Sequence, residues 1–251
     1  MGGYEIIGNR DKAIAIVEIE KGENGKKIAE EIMKKHKNVK TVLKKMSERK
    51  GVIRTRSYRI LSGEKNTEVV HTEYGYRLLL DPRKVYFSAR ESTERQRLAS
   101  LVKDGEKIML MFAGIGPIAI AIAKKHPNVE IVAIEINPAA VKYMKKNIEI
   151  NKLNGRVKVV FGDVKKEVKK YSKEFDRVIM PLPHKSELFI DEALQCVKPN
   201  GWIHLYVIRG EEEIEQVAKE ISKKINAKTF NIKKVLPYAP RVNKYCIDLM
   251  L

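Results

Sequence analysis

The stretch Ile108-Met109-Leu110-Met111-Phe112-Ala113-Gly114-Ile115-Gly116-Pro117 decides the fold of this 251-residue chain. Its four leading apolar residues predict a buried strand, and the two glycines predict a tight turn. Pro117 suits the first turn of a helix, which we expect to run through Lys125. A strand that turns directly into a helix aims backbone N–H groups at a ligand, an arrangement typical of nucleotide sites.

Beyond this stretch, apolar runs alternate with helical segments, as a parallel sheet covered by helices requires. Further strands are predicted at 129–134, 157–160, 177–180 and 202–207, the last after the turn Pro199-Asn200-Gly201. Helices are predicted from Pro138 to about Ile150 and over 211–225, and two last strands around 230–235 and 245–251. We therefore predict an α/β fold with a doubly wound, seven-stranded, Rossmann-like sheet.

The N-terminal part of the chain predicts a small α+β domain. Its elements are a strand at 13–17, a helix at 26–35 and a strand at 39–43. The arginines at 54, 56 and 59 follow, and they predict either a solvated strand edge or, as we favour, a surface that contacts phosphates or bases. Residues 69–80 predict a hairpin between the two halves. We expect a small basic domain at 1–75 and a larger domain at 76–251.

The charge balance indicates a polyanionic partner. Lysine and arginine number 50 against 32 acidic residues, a net charge of +18 and a pI of about 9.7. The alternative is the surface of a thermophilic protein. Such surfaces are enriched in both positively and negatively charged residues, which by itself would not leave so large an excess of positive charge. Cys196 and Cys246 lack the spacing of a metal site or disulfide framework, so we expect no metal. Neither a membrane span nor a secretory signal is evident, which favours the cytoplasm.

Two acidic residues end neighbouring strands. Glu135 follows the second strand, where a carboxylate can accept both hydroxyls of a ribose, and Asp163 follows the third, where it can meet an adenine edge. The full Gly-x-Gly-x-x-Gly fingerprint is absent because position 119 is alanine, which favours S-adenosylmethionine over NAD. A dehydrogenase is the more distant alternative. Helix N-caps or solvated strand ends are the structural alternatives for the two acids.

The fourth strand ends in Pro181-Leu182-Pro183-His184, at the edge where an open α/β sheet presents its site. Two prolines remove N–H donors and fix the backbone, so carbonyl groups can face a substrate. A rigid turn without chemistry is the alternative, in which His184 is a solvent-exposed cap.

Five blocks of sequence carry a family resemblance: 86–95 (YFSARESTER), 111–117 (MFAGIGP), 134–138 (IEINP), 177–184 (RVIMPLPH) and 238–241 (YAPR). With them, most of the chain resembles the archaeal class I tRNA methyltransferases that modify N1 of guanosine 37, and related enzymes of wyosine biosynthesis. The first and fourth blocks are specific to that family. The second and third recur in many methyltransferases.

The resemblance implies roles for individual residues. Glu94 matches the general base that removes the N1 proton, and Arg54 matches the arginine that stabilises charge on O6. Arg95 matches the partner of the cofactor's methionine carboxylate. The other implied S-adenosylmethionine contacts are Phe112, Gly114, Gly116, Glu135, Ile136, Asp163, Val164 and Pro181. Pro181 and Pro183 line the catalytic loop, and the implied tRNA contacts are Arg54, Arg90, His184 and Tyr238.

Three departures from the family pattern stand out. Leu110 replaces a usual aspartate, and Pro181 replaces a usual asparagine. The second change resembles the subgroup whose members methylate both guanine N1 and C7 of 4-demethylwyosine. We also expect that a further N-terminal recognition domain found in many relatives is missing.

Two other functions remain open from the sequence. One is a wyosine-pathway aminocarboxypropyl transferase, against which Glu94 counts because that reaction has less need of a base. The other is an inactive tRNA-binding protein, against which Arg95, Glu135 and Asp163 count. For Glu94 and Arg95 the structural alternative is an exposed salt bridge at a helix start. We expect a monomer that binds the anticodon loop of tRNA.

Overall fold

The computed structural model describes residues 3–47 and 56–251. A four-stranded sheet opens the chain, in the order β1-β2-β3-β4, and β2 and β3 run parallel. Its elements are β1 (Tyr4–Gly8), β2 (Ala13–Val17), α1 (Gly25–Lys35), β3 (Val39–Lys45) and β4 (Tyr58–Gly63). The predicted strand-helix-strand unit is confirmed, because α1 makes the crossover that parallel neighbours need. Arg54 lies outside the described residues.

The next segment leads from the small sheet to the larger one. It is a hairpin, β5 (Val69–Glu73) and β6 (Tyr76–Leu80), followed by α2 (Ser92–Leu101). The predicted hairpin is therefore confirmed. Asn147 and Asn151, on a later helix, hydrogen-bond the backbone of β6 at Leu79 and Arg77 and bind the hairpin to the larger half.

The larger half contains the predicted seven-stranded sheet, in the order β12-β13-β11-β10-β7-β8-β9. Neighbouring strands from β11 to β9 pair in parallel, and β13 pairs antiparallel with both β11 and β12. The elements are β7 (Lys107–Leu110), α3 (Pro117–Lys125), β8 (Glu130–Glu135), α4 (Pro138–Ile150), β9 (Val157–Phe161), α5 (Val164–Glu167), β10 (Phe175–Met180), α6 (Ile190–Cys196), β11 (Val197–Gly210), α7 (Ile214–Lys224), β12 (Thr229–Ala239) and β13 (Val242–Met250).

Apolar side chains divide between the two faces of this sheet. One face is covered by α2, α3, α4 and the hairpin, and the other by α5, α6 and α7. Alternate residues of each strand supply the two cores, so Leu110 and Ile179 enter the first while Met109 and Met180 enter the second. The small sheet joins the first core through Ile7, Ile14, Ile16 and Leu43.

Local departures from the predicted elements have simple causes. The helix predicted over 211–225 begins at Ile214, because the Glu211 N–H bonds the Arg241 carbonyl across the strand end. The predicted turn at 199–201 is an irregular part of β11, where the register with β10 shifts. Within the described residues, no helix combines the length and apolar composition that crossing a membrane requires.

Candidate active site

The glycine turn after β7 has a left-handed backbone at three positions. The φ angles are +55° at Phe112, +58° at Gly114 and +82° at Gly116. A Cβ at Gly114 would meet nothing within 4 Å, whereas one at Gly116 would lie 2.8 Å from Met144 Cγ. Gly116 therefore permits α3 and α4 to pack closely, and Gly114 borders open space at the carboxyl edge of the sheet.

Glu135 closes this turn from the neighbouring strand. Its Oε2 accepts a 2.7 Å hydrogen bond from the Gly114 N–H, and its Oε1 accepts one of 2.7 Å from the Asn137 N–H. Burial raises the pKa of the Glu135 carboxyl. The backbone N–H donors favour its charged form and act in the opposite direction, but burial has the larger effect. Asn137, not Glu135, caps α4. Glu135 is thus neither a cap nor a solvated strand end, and its oxygens keep lone pairs for a ribose.

Asp163 lies on the adjoining strand end. Phe161 is in register with Glu135, so Asp163 follows two residues beyond it at the same edge. Its Oδ1 accepts a 2.8 Å hydrogen bond from the Lys165 N–H and caps the short α5. The helix-cap interpretation is therefore confirmed for Asp163, while Val164 beside it is buried. The edge places a half-buried carboxylate next to the Glu135 site.

The segment after β10 folds back on itself. The Ser186 hydroxyl donates to the carbonyl groups of Met180, at 3.3 Å, and Leu182. These two carbonyls are turned toward Ser186, so the expectation that carbonyls here face a substrate is not met for them. Pro181 and Pro183 are half-buried on the rest of the turn.

The turn between β12 and β13 reaches this segment. The ring of Tyr238 meets the exposed His184 ring edge to face, with centroids 5.8 Å apart. Tyr238 is 61% exposed, which leaves its ring available to stack on a base. Arg90 is also exposed, in the 3-10 turn Ala89–Glu91 that precedes α2. Two of the predicted tRNA contacts, His184 and Tyr238, are thus brought together.

Glu94 is buried in the first turn of α2. Arg97 donates two hydrogen bonds to its carboxylate, each of 2.7 Å, and the Tyr206 hydroxyl donates a third. Only 7% of Glu94 is exposed, so the interpretation as an exposed salt bridge is wrong for this residue. Because Leu205 pairs with Met180, Tyr206 is level with Pro181. Glu94 therefore lies at the carboxyl end of the sheet.

Arg95 is buried as well, and it binds a protein carboxylate. Its Nε and Nη2 each donate a 2.6 Å hydrogen bond to Glu73, and Nη1 donates to the Ser88 carbonyl at 3.1 Å. The guanidinium carbon lies 5.1 Å from the centre of the Phe87 ring. Three of its five N–H groups are used in this way, and its side chain is 4% exposed, so its partner in the structure is the Glu73 carboxylate.

Glu73 is the centre of a buried cluster that the sequence did not indicate. Besides Arg95, the Tyr76 hydroxyl donates to it at 2.5 Å, and His71 Nε2 lies 3.3 Å away. Burial alone would raise the pKa of this carboxyl, but the hydrogen bonds from His71, Arg95 and Tyr76 lower it to about 2. Glu73 is therefore ionised at neutral pH and fixes the start of α2.

Three further side chains near Glu94 were not predicted from the sequence: Arg97, Tyr206 and Asp248. Arg97 follows Glu94 by three residues, a spacing that places both on one helix face and was a usable signal. Tyr206 and Asp248 come from β11 and β13, and no local pattern marks them. Leu110, which replaces the family's aspartate, is 1% exposed and packs in the core, so it presents no polar group to the turn.

One buried trio has metal-binding residue types. The ligand atoms of His204, Cys246 and Asp248 lie within 4.8 Å of one another. However, Arg97 holds the Asp248 carboxylate, and Arg177 lies 2.6 Å from His204. Two neighbouring guanidinium groups oppose a cation here. Both cysteines are buried and free.

Both parts of the chain match domains of known protein families. Residues 69–233 match the TRM5/TYW2 methyltransferase domain, and residues 1–67 match the TYW2 N-terminal domain. The tRNA (guanine(37)-N(1))-methyltransferase Trm5b of Pyrococcus abyssi is 40% identical, over 98% of this chain and 73% of its own length. The tRNA (guanine(37)-N(1))/4-demethylwyosine(37)-methyltransferase Taw22 of Nanoarchaeum equitans is 36% identical, over 78% of this chain and 82% of its own.

A relative with a different activity is also similar. The tRNA(Phe) (4-demethylwyosine(37)-C(7)) aminocarboxypropyltransferase of Methanocaldococcus jannaschii is 34% identical, over 96% of this chain and 98% of its own length. Among solved structures, the complex of aTrm5 with tRNALeu has a TM-score of 0.86 at 35% identity, over 99% of this chain and 72% of that one. Pyrococcus horikoshii TYW2 bound to MeSAdo has a TM-score of 0.81 at 29% identity, over 99% and 90%.

Proposed function

This chain belongs to the TRM5/TYW2 methyltransferase family, and we propose that it methylates N1 of guanosine 37 in tRNA. The cofactor of the family is S-adenosylmethionine, which supplies the methyl group. The buried Glu135 carboxylate beside Gly114, with open space where a side chain would stand, fits an adenosine ribose at this edge. Asp163 would meet the adenine and Arg95 the methionine carboxylate.

The observation that carries the proposal is the placement of Glu94. N1 of neutral guanine bears a hydrogen and is a poor nucleophile, so a positioned carboxylate must remove that proton. Glu94 is buried, lies at the carboxyl end of the sheet and is held by two donors in a fixed orientation. A buried carboxylate that is level with the Pro181 turn is suited to this role.

The proposed step transfers one methyl group to N1 and one proton to Glu94. The bond between the cofactor sulfur and its methyl group breaks while a bond forms between that carbon and N1. The electron pair of the N1–H bond stays on N1 and forms the new bond to the methyl carbon, the pair of the broken sulfur–carbon bond leaves with the sulfur as a neutral thioether, and the proton passes to Glu94. Arg54 would stabilise the charge that develops on O6, as a cation placed at a developing oxyanion does.

The remaining proposed contacts are with the tRNA. Tyr238 and His184 would receive the guanine once it leaves its stack in the anticodon loop, and Arg90 would meet a nearby phosphate. Residues 1–75 form the proposed tRNA-contacting domain and 76–251 the catalytic domain. We propose that the protein acts as a monomer in the cytoplasm, without a metal.

A specific observation also favours a second candidate function. The N-terminal part matches a TYW2 domain, and the aminocarboxypropyltransferase relative aligns over 98% of its own length. That reaction uses the same cofactor but transfers a different carbon chain to the tricyclic base. Glu94 favours methyl transfer, because an already activated carbon acceptor has less need of a base.

One experiment separates these functions. The protein is incubated with S-adenosylmethionine and unmodified tRNA bearing guanosine 37, and in parallel with tRNA bearing 4-demethylwyosine, and the nucleosides are analysed by mass spectrometry. We expect 1-methylguanosine from the first tRNA. A larger group on the tricyclic base, with guanosine 37 unchanged, would establish the aminocarboxypropyl transferase. Methylation of both bases would place the chain with its two-activity relative.

A further inference from the structure

Glu94 is the first member of a continuous line of buried and half-buried ionic groups. Arg97 binds Glu94 and also donates to Asp248, with 2.6 Å between Nη1 and Oδ2 and 3.3 Å between Nη2 and Oδ1. His204 Nδ1 lies 2.5 Å from Asp248 Oδ1. We call this line the buried ionic network, and its members are Glu94, Arg97, Asp248, His204, Arg177 and Glu106.

The hydrogen-bond geometry fixes the protonation of the histidine. Arg177 Nη1 can only donate, and it lies 2.6 Å from His204 Nε2, so Nε2 accepts. His204 Nδ1 therefore carries the proton and donates it to Asp248. Burial and the nearby guanidinium groups lower the pKa of His204, which agrees with a neutral ring.

The network carries one more negative charge than positive charge. Its two guanidinium groups, Arg97 and Arg177, face three carboxylates, Glu94, Asp248 and Glu106, and the neutral histidine. Asp248 is ionised, because the hydrogen bonds from His204 and Arg97 lower its pKa despite burial. At one end of the network, the Tyr206 hydroxyl donates a further hydrogen bond to Glu94.

Every element packed around Glu94 contributes to its surroundings. Its own helix α2 supplies Arg97; β11 supplies Tyr206; and β13 supplies Cys246 and Asp248. Lys244 lies behind the Tyr206 ring, with Nζ 4.9 Å from its centre, and is paired with Glu91. From α3, Lys125 binds Ser100 at the far end of α2. Among the residues that the structure describes, Arg97 is the cation in direct contact with Glu94.

We propose that Arg97 is a positioning residue that pairs its positive charge with the Glu94 carboxylate and orients it for proton removal, and that Asp248 and His204 hold Arg97 in place. The proposal rests on the assignment of Glu94 as the general base. It explains why Arg97 divides its guanidinium between two carboxylates. Asp248 binds the guanidinium on its other side, so Arg97 presents Nε and Nη2 to Glu94 in one orientation.

The test is the pH dependence of the methyl-transfer rate, measured in single turnovers with S-adenosylmethionine and tRNA bearing guanosine 37. Removing a cation beside a carboxylate raises the proton affinity of that carboxylate, so less of it is ionised at low pH. For Arg97→Gln we expect the acid limb of the profile to move up by about one pH unit or more. Arg97→Lys, which keeps the charge, should move it less.

A second variant covers the case in which Arg97→Gln does not fold. Tyr206→Phe removes one donor to Glu94 and keeps the ring that packs on Lys244, and the acid limb should again move up. Arg156→Gln is the matched control. Its guanidinium donates to the Ala123 carbonyl and has no contact with the network, so its profile should equal that of the wild type.

The outcomes separate this inference from the proposed function. Glu94→Gln with an undiminished rate would overturn the base assignment and, with it, the proposed mechanism. An inactive Glu94→Gln together with unshifted acid limbs in Arg97→Gln and Tyr206→Phe would overturn only the role of Arg97. If Arg97 had only a structural role, Arg97→Gln would lower the rate and the melting temperature at all pH values. The acid limb of its pH profile would stay in place.

Discussion

The backbone N–H of Ala89 donates a 2.8 Å hydrogen bond to the side chain of Glu5, which joins the small sheet to the turn before α2. The Ser88 hydroxyl donates to the same carboxylate oxygen at 3.2 Å. The Gly8 N–H donates to His71 Nδ1, also at 3.2 Å, and joins the small sheet to the hairpin. Two domains that share these bonds and one apolar core are not independently placed.

Glu5→Ala should therefore reduce methyl transfer although Glu5 lies in the small sheet. The change leaves the Ala89 N–H without its partner and loosens the turn that leads to Glu94, and a displaced base reacts more slowly. We expect about a tenfold loss of rate at saturating substrates. Glu30→Ala, which removes an exposed glutamate of α1, is the control and should leave the rate unchanged. Equal rates in both variants would contradict the coupling.

Glu73→Gln should destabilise the fold in a pH-dependent way. Because the pKa of Glu73 is lowered from 4.5 to about 2, its ionisation stabilises the folded state above pH 4.5, and this contribution is lost as the pH falls toward 2. The expected loss at neutral pH is about 3 kcal/mol, measured by urea unfolding. The difference from the wild type should shrink below pH 4. Glu130→Gln, at an exposed site, should show no such trend.

The two glycines of the turn should respond differently to alanine. Gly116→Ala adds a methyl 2.8 Å from Met144 at a left-handed φ, so thermal unfolding should show a loss of about 2 kcal/mol or more. The methyl of Gly114→Ala would have no atom of the described residues within 4 Å, and it projects into the open space beside Glu135. We expect calorimetry to show at least about tenfold weaker binding of S-adenosylmethionine.

The control for this pair is Gly105→Ala. Gly105 has a φ of +85° and no neighbour within 4 Å of the added Cβ, but it precedes β7 at the opposite edge. It should cost about 1 kcal/mol of stability without any change in cofactor affinity. Normal cofactor binding by Gly114→Ala would count against the proposed site.

Tyr238→Ala should weaken the capture of the target base. Stacking of one base on an aromatic ring contributes about 1–3 kcal/mol, so the KM for tRNA should rise about tenfold. Tyr238→Phe keeps the ring and should behave as the wild type. Tyr74→Ala is the matched control, since Tyr74 is 62% exposed against 61% for Tyr238. A KM unchanged in Tyr238→Ala would exclude the stacking role.

Binding of tRNA should depend steeply on salt, partly through the small sheet. Lys26, Lys44 and Arg59 line a cleft of about 390 Å³ between α1 and β4. If each neutralises one phosphate, changing all three to alanine should reduce the slope of log affinity against log salt by about 2–3. The same change at three exposed lysines of α7, Lys219, Lys223 and Lys224, should leave the slope intact.

The elements that were predicted correctly are those whose sequence signal lies within a few neighbouring residues. The strand-turn-helix at 108–125 and the helix starting at Pro138 follow from apolar runs, glycines and prolines within a few residues. The strand β1 lacked such a signal, because its partner β2 and its core contacts determine it. The same holds in the site. Arg97 was accessible from its spacing to Glu94, but Tyr206 is 112 residues away and meets Glu94 only in the fold.

The order of the large sheet also bears on how the protein behaves at high concentration. Its outermost strands are β12 and β9, whose free edges could template pairing with another molecule. β12 carries Lys233, Lys234 and Pro237, and β9 carries the exposed Lys158. Lysines repel a second copy, and proline offers no N–H to an added strand. We therefore expect concentrated solutions to resist strand-mediated aggregation.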